Sequence, residues 1–471
     1  MRSIVAALAV LAVACGGKHT GDPDGASDAP PDFDTDTGPP IAGCPEDFDT
    51  ITGTAFFVDP ATGDDADDGS AGNPWASIQY VVESLVDCVD RDGVPRNPGA
   101  PVKGGDTIVL VGADGHDEEI SISGCYNDDY VKIKADVLHE PVVRFVHFRG
   151  SSHWRIDGLS FFNDGAATML RIEDHDWQGD AHHIEIFNST FTSGDLQTVA
   201  DYENHASTGI WLLSPEIVTV KCNALTKVSQ AMSVFGDYIH ILNNRIEFFS
   251  RDAFATGGHH NKFIGNVVYD SVDLGDGHHD DFFQSHMGSN PDISSDVEVA
   301  YNIFMNRYPP ELDADMQHAT QCLSAFEDGP KTNIRVYNNV CKTDHYHGIR
   351  WADTNDSFIV NNTVIGGTML PGLPPGSDDW PDHAWISIDG TNNVVRNNLT
   401  TLDQTDGDHN IEITGAEVDD YFVDFLGLDL GLVGTAPAVN AGSPDGAPED
   451  DVLGNPRDST PDVGAYEYVG E

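Results

Sequence analysis

The stretch Val297-Glu298-Val299-Ala300-Tyr301-Asn302-Ile303-Phe304 decides the fold of this 471-residue chain. Two apolar residues at alternate positions precede an Asn, and another apolar residue stands two places after it. Working outward, the same pattern recurs at 239–246, 263–268, 334–341, 358–364 and 394–399. The aligned Asn residues are separated by 21, 22, 36, 37, 23 and 36 positions. They are Asn223, Asn244, Asn266, Asn302, Asn339, Asn362 and Asn398.

This repeat predicts the architecture. Alternating apolar residues indicate strands, and a unit of about 22 residues without a helical pattern is too short for a strand-helix-strand crossover. A coil of about three short strands per turn fits, with neighbouring turns about 4.8 Å apart. We therefore predict an all-β, right-handed parallel β-helix of about nine or ten coils. Each repeated Asn is expected at a corner with left-handed backbone, where its amide bonds the next coil. The apolar spacing of 75–86 predicts a capping helix at the N-terminal end.

The two ends of the chain resemble a known superfamily. Phe56-Phe57-Val58-Asp59-Pro60, Asn73-Pro74-Trp75 and Gly105-Asp106-Thr107-Ile108 are similar to the entry segment of pectate-lyase-like parallel β-helix proteins. Gly454-Asn455-Pro456-Arg457 and 462–467 resemble the terminal segment of the same group. The resemblance spans about residues 54–468. It implies the fold and leaves the activity open, because the superfamily includes lyases, hydrolases, epimerases and catalytically silent surface proteins.

The N-terminal region predicts export. Arg2 and the apolar run 4–13 are typical of a signal peptide, and Leu11-Ala12-Val13-Ala14-Cys15 resembles a bacterial lipobox. We predict a lipoprotein signal at 1–14, then a disordered acidic tether at 15–43 that begins at a lipidated Cys15. Residues 44–471 form one domain, with 54–110 as N-terminal cap and first coil and 436–468 as closing segment. The protein would be anchored at the bacterial outer membrane or cell surface; a plain cleaved signal is the alternative.

Charge and cysteine content restrict the partners. The formal charge of −55, from 78 acidic and 23 basic residues, repels nucleic acid and anionic lipid, so membrane contact is expected only through the anchor. Binding of a polyanionic substrate would need Ca²⁺ or a local basic cluster. The negative charge is also explained by a surface that keeps the protein soluble or suits it to high salt. Apart from Cys15, an even six cysteines predict disulfides in an exported protein, with Cys322 and Cys341 as the favoured pair.

The candidate site comes from aligning the strand that follows the repeated Asn in successive coils. This alignment places Arg251, His279 and Tyr346 near one line and Asp252, Asp280 and His347 on the next. Strand alternation predicts that Trp211, Phe283 and Arg350 point to solvent. These groups can hold a sugar ring and move a proton. The set is completed by His279, Asp281 and Gln284, which resemble an HxDxxQ motif of carbohydrate-active β-helix proteins.

Each of these residues also has a structural interpretation. The motif is short enough for a chance match, and Asp252 and Asp280 could cap corner amides. His259 and His260 are expected in a loop, with metal binding as the alternative. Asp64, Asp65, Asp67 and Asp68 suit either a turn or a Ca²⁺ site, so Ca²⁺ stays an alternative and no cofactor is assigned.

Three functions remain open at this stage. The first is a monomeric, surface-anchored lyase or uronate epimerase that abstracts the C5 proton of a polysaccharide. There His279 or Tyr346 would act as base or acid, Arg251 and Arg350 would bind the carboxylate, and Asp280 or Asp281 would orient groups or bind Ca²⁺. The second is a glycoside hydrolase that pairs Asp252 with Asp280 or Asp281. The third is a non-catalytic glycan-binding or structural surface protein.

Overall fold

A computed structural model describes most of the chain after the predicted tether. The described residues are 44, 51, 53–112, 115–116, 118–136, 138, 140–285, 294–307, 309, 312–317, 319–326, 329–366 and 384–470. The predicted signal peptide, the tether and Cys15 lie outside this set.

The strands stack as a parallel β-helix with three walls, as the repeat predicts. A 23-stranded sheet supplies two walls and an 11-stranded sheet supplies the third. The longest strands, Thr208–Lys221 and Met232–Leu242, run through both wall 1 and wall 2. Wall 1 also contains Glu119–Ser123, Phe145–Arg149, Thr168–Glu173, Phe254–Gly257, Asp281–Ser285, Gln321–Ala325, His347–Trp351, Trp385–Ile388 and Leu402–Asp403. Wall 2 also contains Ala55–Val58, Thr107–Leu110, Tyr126–Ala135, Ser152–Asp157, His182–Phe187, Lys262–Ile264, Glu298–Ala300, Arg335–Tyr337, Phe358–Val360 and Val394–Arg396.

Wall 3 shows how many coils stack. Its strands are Val142–Val143, Ser160–Phe162, Thr190–Thr192, Ala224–Val228, Arg245–Phe249, Val267–Ser271, Ile303–Met305, Val340–Thr343, Thr363–Gly366, Leu399–Thr400 and Ile411–Glu412. The described residues thus form 11 rungs here, against the nine or ten predicted. The excess arises at the ends, where two-residue strands are too short to show an apolar alternation.

Smaller elements complete the fold. The short parallel strands Ser294–Ser295, Lys331–Thr332 and Thr354–Asn355 form a separate sheet at one corner. Cys88–Val89 pairs antiparallel with both Pro95–Arg96 and Tyr126–Ala135, and Phe422–Asp424 pairs antiparallel with Asp429–Leu432. The helices are Ile78–Ser84, Val199–His205, Val418–Tyr421 and the 3-10 turn Ala314–Met316.

The predicted asparagine ladder forms between walls 2 and 3. Each side-chain amide donates to the Oδ1 of the Asn one rung further on, at 2.9–3.1 Å from Asn223 through to Asn410. The backbone prediction was wrong by one position. The residue before the ladder Asn has the left-handed conformation, as at Tyr301 (φ 56°) and Asn338 (φ 50°). This leaves the following Asn free to direct its amide along the stack.

The interior is a continuous apolar column. Its largest fully buried side chains include Trp154, Trp351, Phe161 and Phe191, and the last two rings stack with centroids 4.3 Å apart. The helix Ile78–Ser84 lies within the predicted segment, begins after Ser77 and buries Ile78, Val81 and Val82 in the same core. Its role as an end cap stays a prediction.

Three disulfides join the six cysteines that follow the tether. The predicted Cys322–Cys341 bond is present, and the other two are Cys44–Cys222 and Cys88–Cys125. Cys44 and Cys222 are separated by 178 positions, so only the folded chain shows that they meet. Among the described helices, none combines the length and apolar character needed to span a bilayer.

Candidate functional site

The candidate site is built on the outer face of wall 1, where the register differs from the predicted one. Phe254 pairs with Phe283 and Phe283 with Leu323, whereas the sequence alignment had placed Phe282 in this row. Asp281 therefore pairs with Gln321, so Asp281, and not Asp280, continues the row of Asp252. Phe283 was predicted to face solvent and is instead fully buried.

The one-residue shift gathers the three motif residues around one carboxylate. Asp281 Oδ2 lies 2.8 Å from His279 Nδ1 and 3.4 Å from Gln284 Nε2. Asp281 Oδ1 accepts a 2.5 Å hydrogen bond from the Ser324 hydroxyl of the next rung. The Asp281 side chain is fully buried, whereas that of His279 is 54% exposed. The buried Asp281 therefore orients the His279 ring through Nδ1, while the imidazole remains accessible to solvent.

The network continues across two further rungs. The Ser324 hydroxyl lies 3.2 Å from Gln321 Oε1, and this oxygen lies 2.8 Å from His347 Nδ1. The Phe326 ring packs between the two histidines, with centroids 6.2 Å from His279 and 5.4 Å from His347. Gln321, Ser324 and Phe326 were not predicted as site residues. An alignment that paired Phe254 with Phe283 would have identified this strand as part of the site, because that register pairs Gln321 with Asp281.

Burial and charge change the protonation of this cluster. The hydrogen bond to Asp281 raises the pKa of His279. Desolvation raises the pKa values of both Asp252 and Asp281, and their mutual repulsion adds to the shift of Asp252. Desolvation, with a smaller contribution from Arg350, lowers the pKa of His347 to about 4. Near neutral pH, His347 is therefore neutral, while His279 binds a proton more readily than an ordinary histidine.

The two predicted arginines differ in how firmly they are held. Arg350 donates from Nη2 to Asp389 at 2.6 Å and from Nη1 to the Ser387 hydroxyl at 3.4 Å. It pairs in register with Ser324, one rung away. Arg251 is more exposed and lies 3.8 Å from Asp276. Arg350 is therefore the cation with a defined position beside the network.

The remaining aromatic residues flank the network along wall 1. The Tyr346 ring lies 4.1 Å from that of His347 and 4.9 Å from that of Trp385. Trp211 is 36% exposed, in agreement with its predicted orientation, and Arg171 lies 5.0 Å from its ring centroid. Trp211 stands three rungs from Gln284 through Ser233 and Ala255, which is about 14 Å along the stack. The outer face therefore offers aromatic surface over several rungs.

Asp280 is directed elsewhere. It is buried with its carboxylate 3.6 Å from His278 Nδ1, and its carbonyl accepts from the Gln321 amide. Asp252 Oδ1 accepts from the Asp281 backbone N–H at 3.2 Å. The corner-capping interpretation thus describes the contacts of Asp252.

The alternative metal sites find little support in the contacts. His259 Nδ1 lies 2.9 Å from the Ser295 hydroxyl, and the His260 ring stacks on Tyr238. Asp64 and Asp68 accept backbone N–H bonds two residues further on, as turn residues do, and Asp65 accepts from the backbone N–H groups of Ala76 and Ser77. Within the part of the chain that the structure describes, no three His, Cys, Asp or Glu side chains are grouped as metal ligands.

Comparison with known proteins supports the fold. No family model matches the chain, and no curated protein does. Among solved structures, the chain is similar to the pectate lyase Pel9A, with a TM-score of 0.51 and 14% identity over 88% of this chain and 96% of that one. A GH136 lacto-N-biosidase from Eubacterium ramulus has a TM-score of 0.44 and 14% identity, over 72% of this chain and 68% of that one. XylC in complex with xylose has a TM-score of 0.43 and 9% identity, over 75% of this chain and 76% of that one. The likeness to Pel9A, at 14% identity, establishes a shared parallel β-helix fold and no more.

Proposed function

We propose that this protein is an exported, carbohydrate-active β-helix protein that acts on a polysaccharide as a lyase or uronate epimerase. The observation that carries the proposal is the accessible His279 imidazole, held at Nδ1 by the buried Asp281. This leaves Nε2 directed away from the carboxylate as the atom that exchanges a proton. A positioned histidine of this kind is suited to general acid–base catalysis.

The neighbours of His279 supply the other requirements for abstracting a C5 proton. A uronate carboxylate must be neutralised before its α-proton becomes acidic, and Arg350 is the cation fixed beside the network. Arg251 offers a second positive charge. The sugar can pack on Tyr346 or Trp385, whose rings flank His347.

Hydrolysis by paired carboxylates is the second candidate. The raised pKa of Asp252 favours it, because an acid catalyst must hold its proton. Against it, Asp252, Asp280 and Asp281 are all buried, and both oxygens of Asp281 are already engaged. His279 is therefore the better candidate for direct contact with substrate.

Product analysis on uronate and neutral polysaccharides separates these functions. A lyase yields unsaturated, ultraviolet-absorbing sugars, an epimerase incorporates solvent deuterium at C5 without cleavage, and a hydrolase yields reducing ends without absorbance. We expect one of the first two outcomes. Reducing ends alone would replace the proposal with hydrolysis, and glycan binding without any turnover would make the protein a non-catalytic binder.

Asp281→Asn tests the pairing of His279 with Asp281 directly. Loss of the carboxylate removes the main cause of the raised His279 pKa, so this pKa is expected to fall. If His279 acts as a base, the neutral form that it needs then persists to lower pH. The acidic limb of the rate–pH profile therefore moves to lower pH. NMR titration of the imidazole measures the pKa without an activity assay. Asp276→Asn, which alters the contact with Arg251, is the matched control; equal shifts in both variants would contradict the pairing.

Export and anchoring complete the proposal. Three disulfides support an oxidising location outside the cytoplasm. We propose that Cys15 carries the lipid, which metabolic labelling with a fatty acid tests against Cys15→Ser.

A further inference from the structure

A second groove lies on a different face of the solenoid, along wall 2. It has a volume of about 390 Å³, within the range of small-molecule sites. Strand residues form its floor and the C-terminal segment 446–449 forms its far side. The lining residues that could contact a ligand include Arg335, Tyr337, Phe358 and Val360 on the floor and Glu449 on the far side. None of these residues belongs to the His279 network.

The floor of this groove presents an aromatic surface beside a cation. Arg335 and Phe358 are direct register partners on neighbouring rungs, and the Phe358 side chain is 40% exposed. Tyr337 and Val360, two residues further along the same strands, are also register partners and line the groove. Phe358 therefore offers an exposed apolar ring in the same groove as Arg335, its partner on the neighbouring strand.

The charged groups of the groove are left without partners of their own. Glu298 is the register neighbour of Arg335, yet it is engaged by the Tyr337 hydroxyl and by Lys262 at 3.7 Å. Within the described residues, neither the Arg335 guanidinium nor the Glu449 carboxylate has a hydrogen bond or ion pair. Most arginines of this acidic protein do have one, as Arg155, Arg307 and Arg396 show. An unpaired donor and an unpaired acceptor thus line one open groove.

The far side of the groove is fixed in place by hydrogen bonds from the solenoid. Asn338 Nδ2 donates to the Asp450 carbonyl at 2.7 Å, and Arg396 Nη1 donates to the Asp445 carbonyl at 2.7 Å. These bonds hold the chain on both sides of 446–449. The groove is therefore formed before any ligand arrives, which reduces the entropy lost on binding.

We propose that this groove is a second carbohydrate-binding site, which takes a pyranose residue of a polysaccharide. The apolar face of a sugar ring would pack on Phe358, while its hydroxyl groups accept from Arg335 and donate to Glu449. A carboxylated sugar would add an ion pair with Arg335. The site stands on its own contacts and does not require the His279 chemistry. Its rungs also carry Ser324 and His347 on wall 1, so one polysaccharide assembly can be held on wall 2 while a chain is processed on wall 1.

Calorimetric titration of the full chain tests this proposal, with a galacturonate oligosaccharide and a neutral gluco-oligosaccharide as probes. His279→Ala serves as background so that turnover does not interfere. Phe358→Ala is expected to weaken binding of at least one probe about tenfold, since it removes one aromatic contact. Arg335→Ala should weaken binding of the galacturonate oligosaccharide more than binding of the neutral one if the site takes an acidic sugar. It should weaken binding of both probes equally if the site takes a neutral sugar.

Phe162→Ala is the matched control. Phe162 is 41% exposed on wall 3, outside both grooves, and its loss should leave binding unchanged. In the catalytically intact protein, Phe358→Ala should leave turnover of short soluble fragments unaffected and reduce retention on insoluble polysaccharide. Unchanged affinity for both probes in Phe358→Ala, or an equal loss in Phe162→Ala, would overturn the second site. Absence of turnover with intact Phe358-dependent binding would reject the proposed activity and leave this site standing.

Discussion

His279→Ala is expected to lower turnover in the proposed lyase or epimerase reaction by roughly 10²–10⁴-fold, the usual contribution of a positioned acid or base. The imidazole is more than half exposed on wall 1, and its Nδ1 is held by Asp281 at 2.8 Å. Alanine removes the exchanging atom while leaving the buried carboxylate and the wall intact. Initial rates of product formation measure the effect. The loss should appear in kcat more than in KM, because the proton transfer occurs in the transition state.

His278→Ala provides the control for His279→Ala. His278 is adjacent and carries the same ring, but its Nδ1 lies 3.6 Å from Asp280, and within the described residues it makes no hydrogen bond to Asp281. Its removal should cost much less activity. Turnover within a few-fold of wild type in His279→Ala would remove His279 from the mechanism, and an equal loss in both variants would indicate that the loop is needed only for its shape.

Asn339→Ala is expected to destabilise the solenoid by about 3 kcal/mol, because buried groups lose their partners. Asn339 Oδ1 accepts from the backbone and side-chain amides of Asn302 at 3.1 and 2.9 Å. Its Nδ2 donates to the Val299 carbonyl and to Asn362 Oδ1 at 2.8 and 3.0 Å. Alanine can replace none of these bonds, and water cannot reach them because Asn339 is fully buried. Chemical denaturation followed by far-ultraviolet circular dichroism measures the loss.

Asn392→Ala is the comparison for this ladder variant. Asn392 also bonds the neighbouring rung, through Nδ2 to Asp356 Oδ1 at 3.1 Å, but both residues are exposed at a corner. Water replaces that bond, but alanine is disfavoured in the left-handed backbone of Asn392 (φ 60°), so the expected loss is about 1 kcal/mol. Equal stabilities for Asn339→Ala and Asn392→Ala would show that the buried ladder contributes no more than a surface contact.

The ladder was predictable because it depends on a local pattern. The residues around each Asn alternate in the same way in every rung, and identical side chains at the same corner stack whenever the rungs stack. The Cys322–Cys341 bond follows from the same argument, since the two positions lie about one coil apart. The left-handed residue was misplaced by one because an Asn at a turn satisfies either position, and only its hydrogen-bonding partner distinguishes them.

The candidate site was predicted in composition but not in arrangement. Between Phe254 and Phe283 the chain is longer than between Met232 and Phe254, so the inserted loop permits more than one register. Alternation does not resolve it, because Phe282 and Phe283 are both apolar.

What the sequence determined by itself was the repeat, and with it the stacked walls, the asparagine ladder and the outward orientation of Trp211. Only the tertiary structure decided which phenylalanine pairs with Phe254, since both Phe282 and Phe283 are buried in the core. Phe283 packs among Phe254, Phe263 and Trp351, while Phe282 fills the corner between Phe249 and Phe304. This packing of two large rings fixes the register, because neither cavity would be filled if the strand slipped by one residue. The same register places the Asp281 carboxylate within hydrogen-bonding distance of His279 and Ser324.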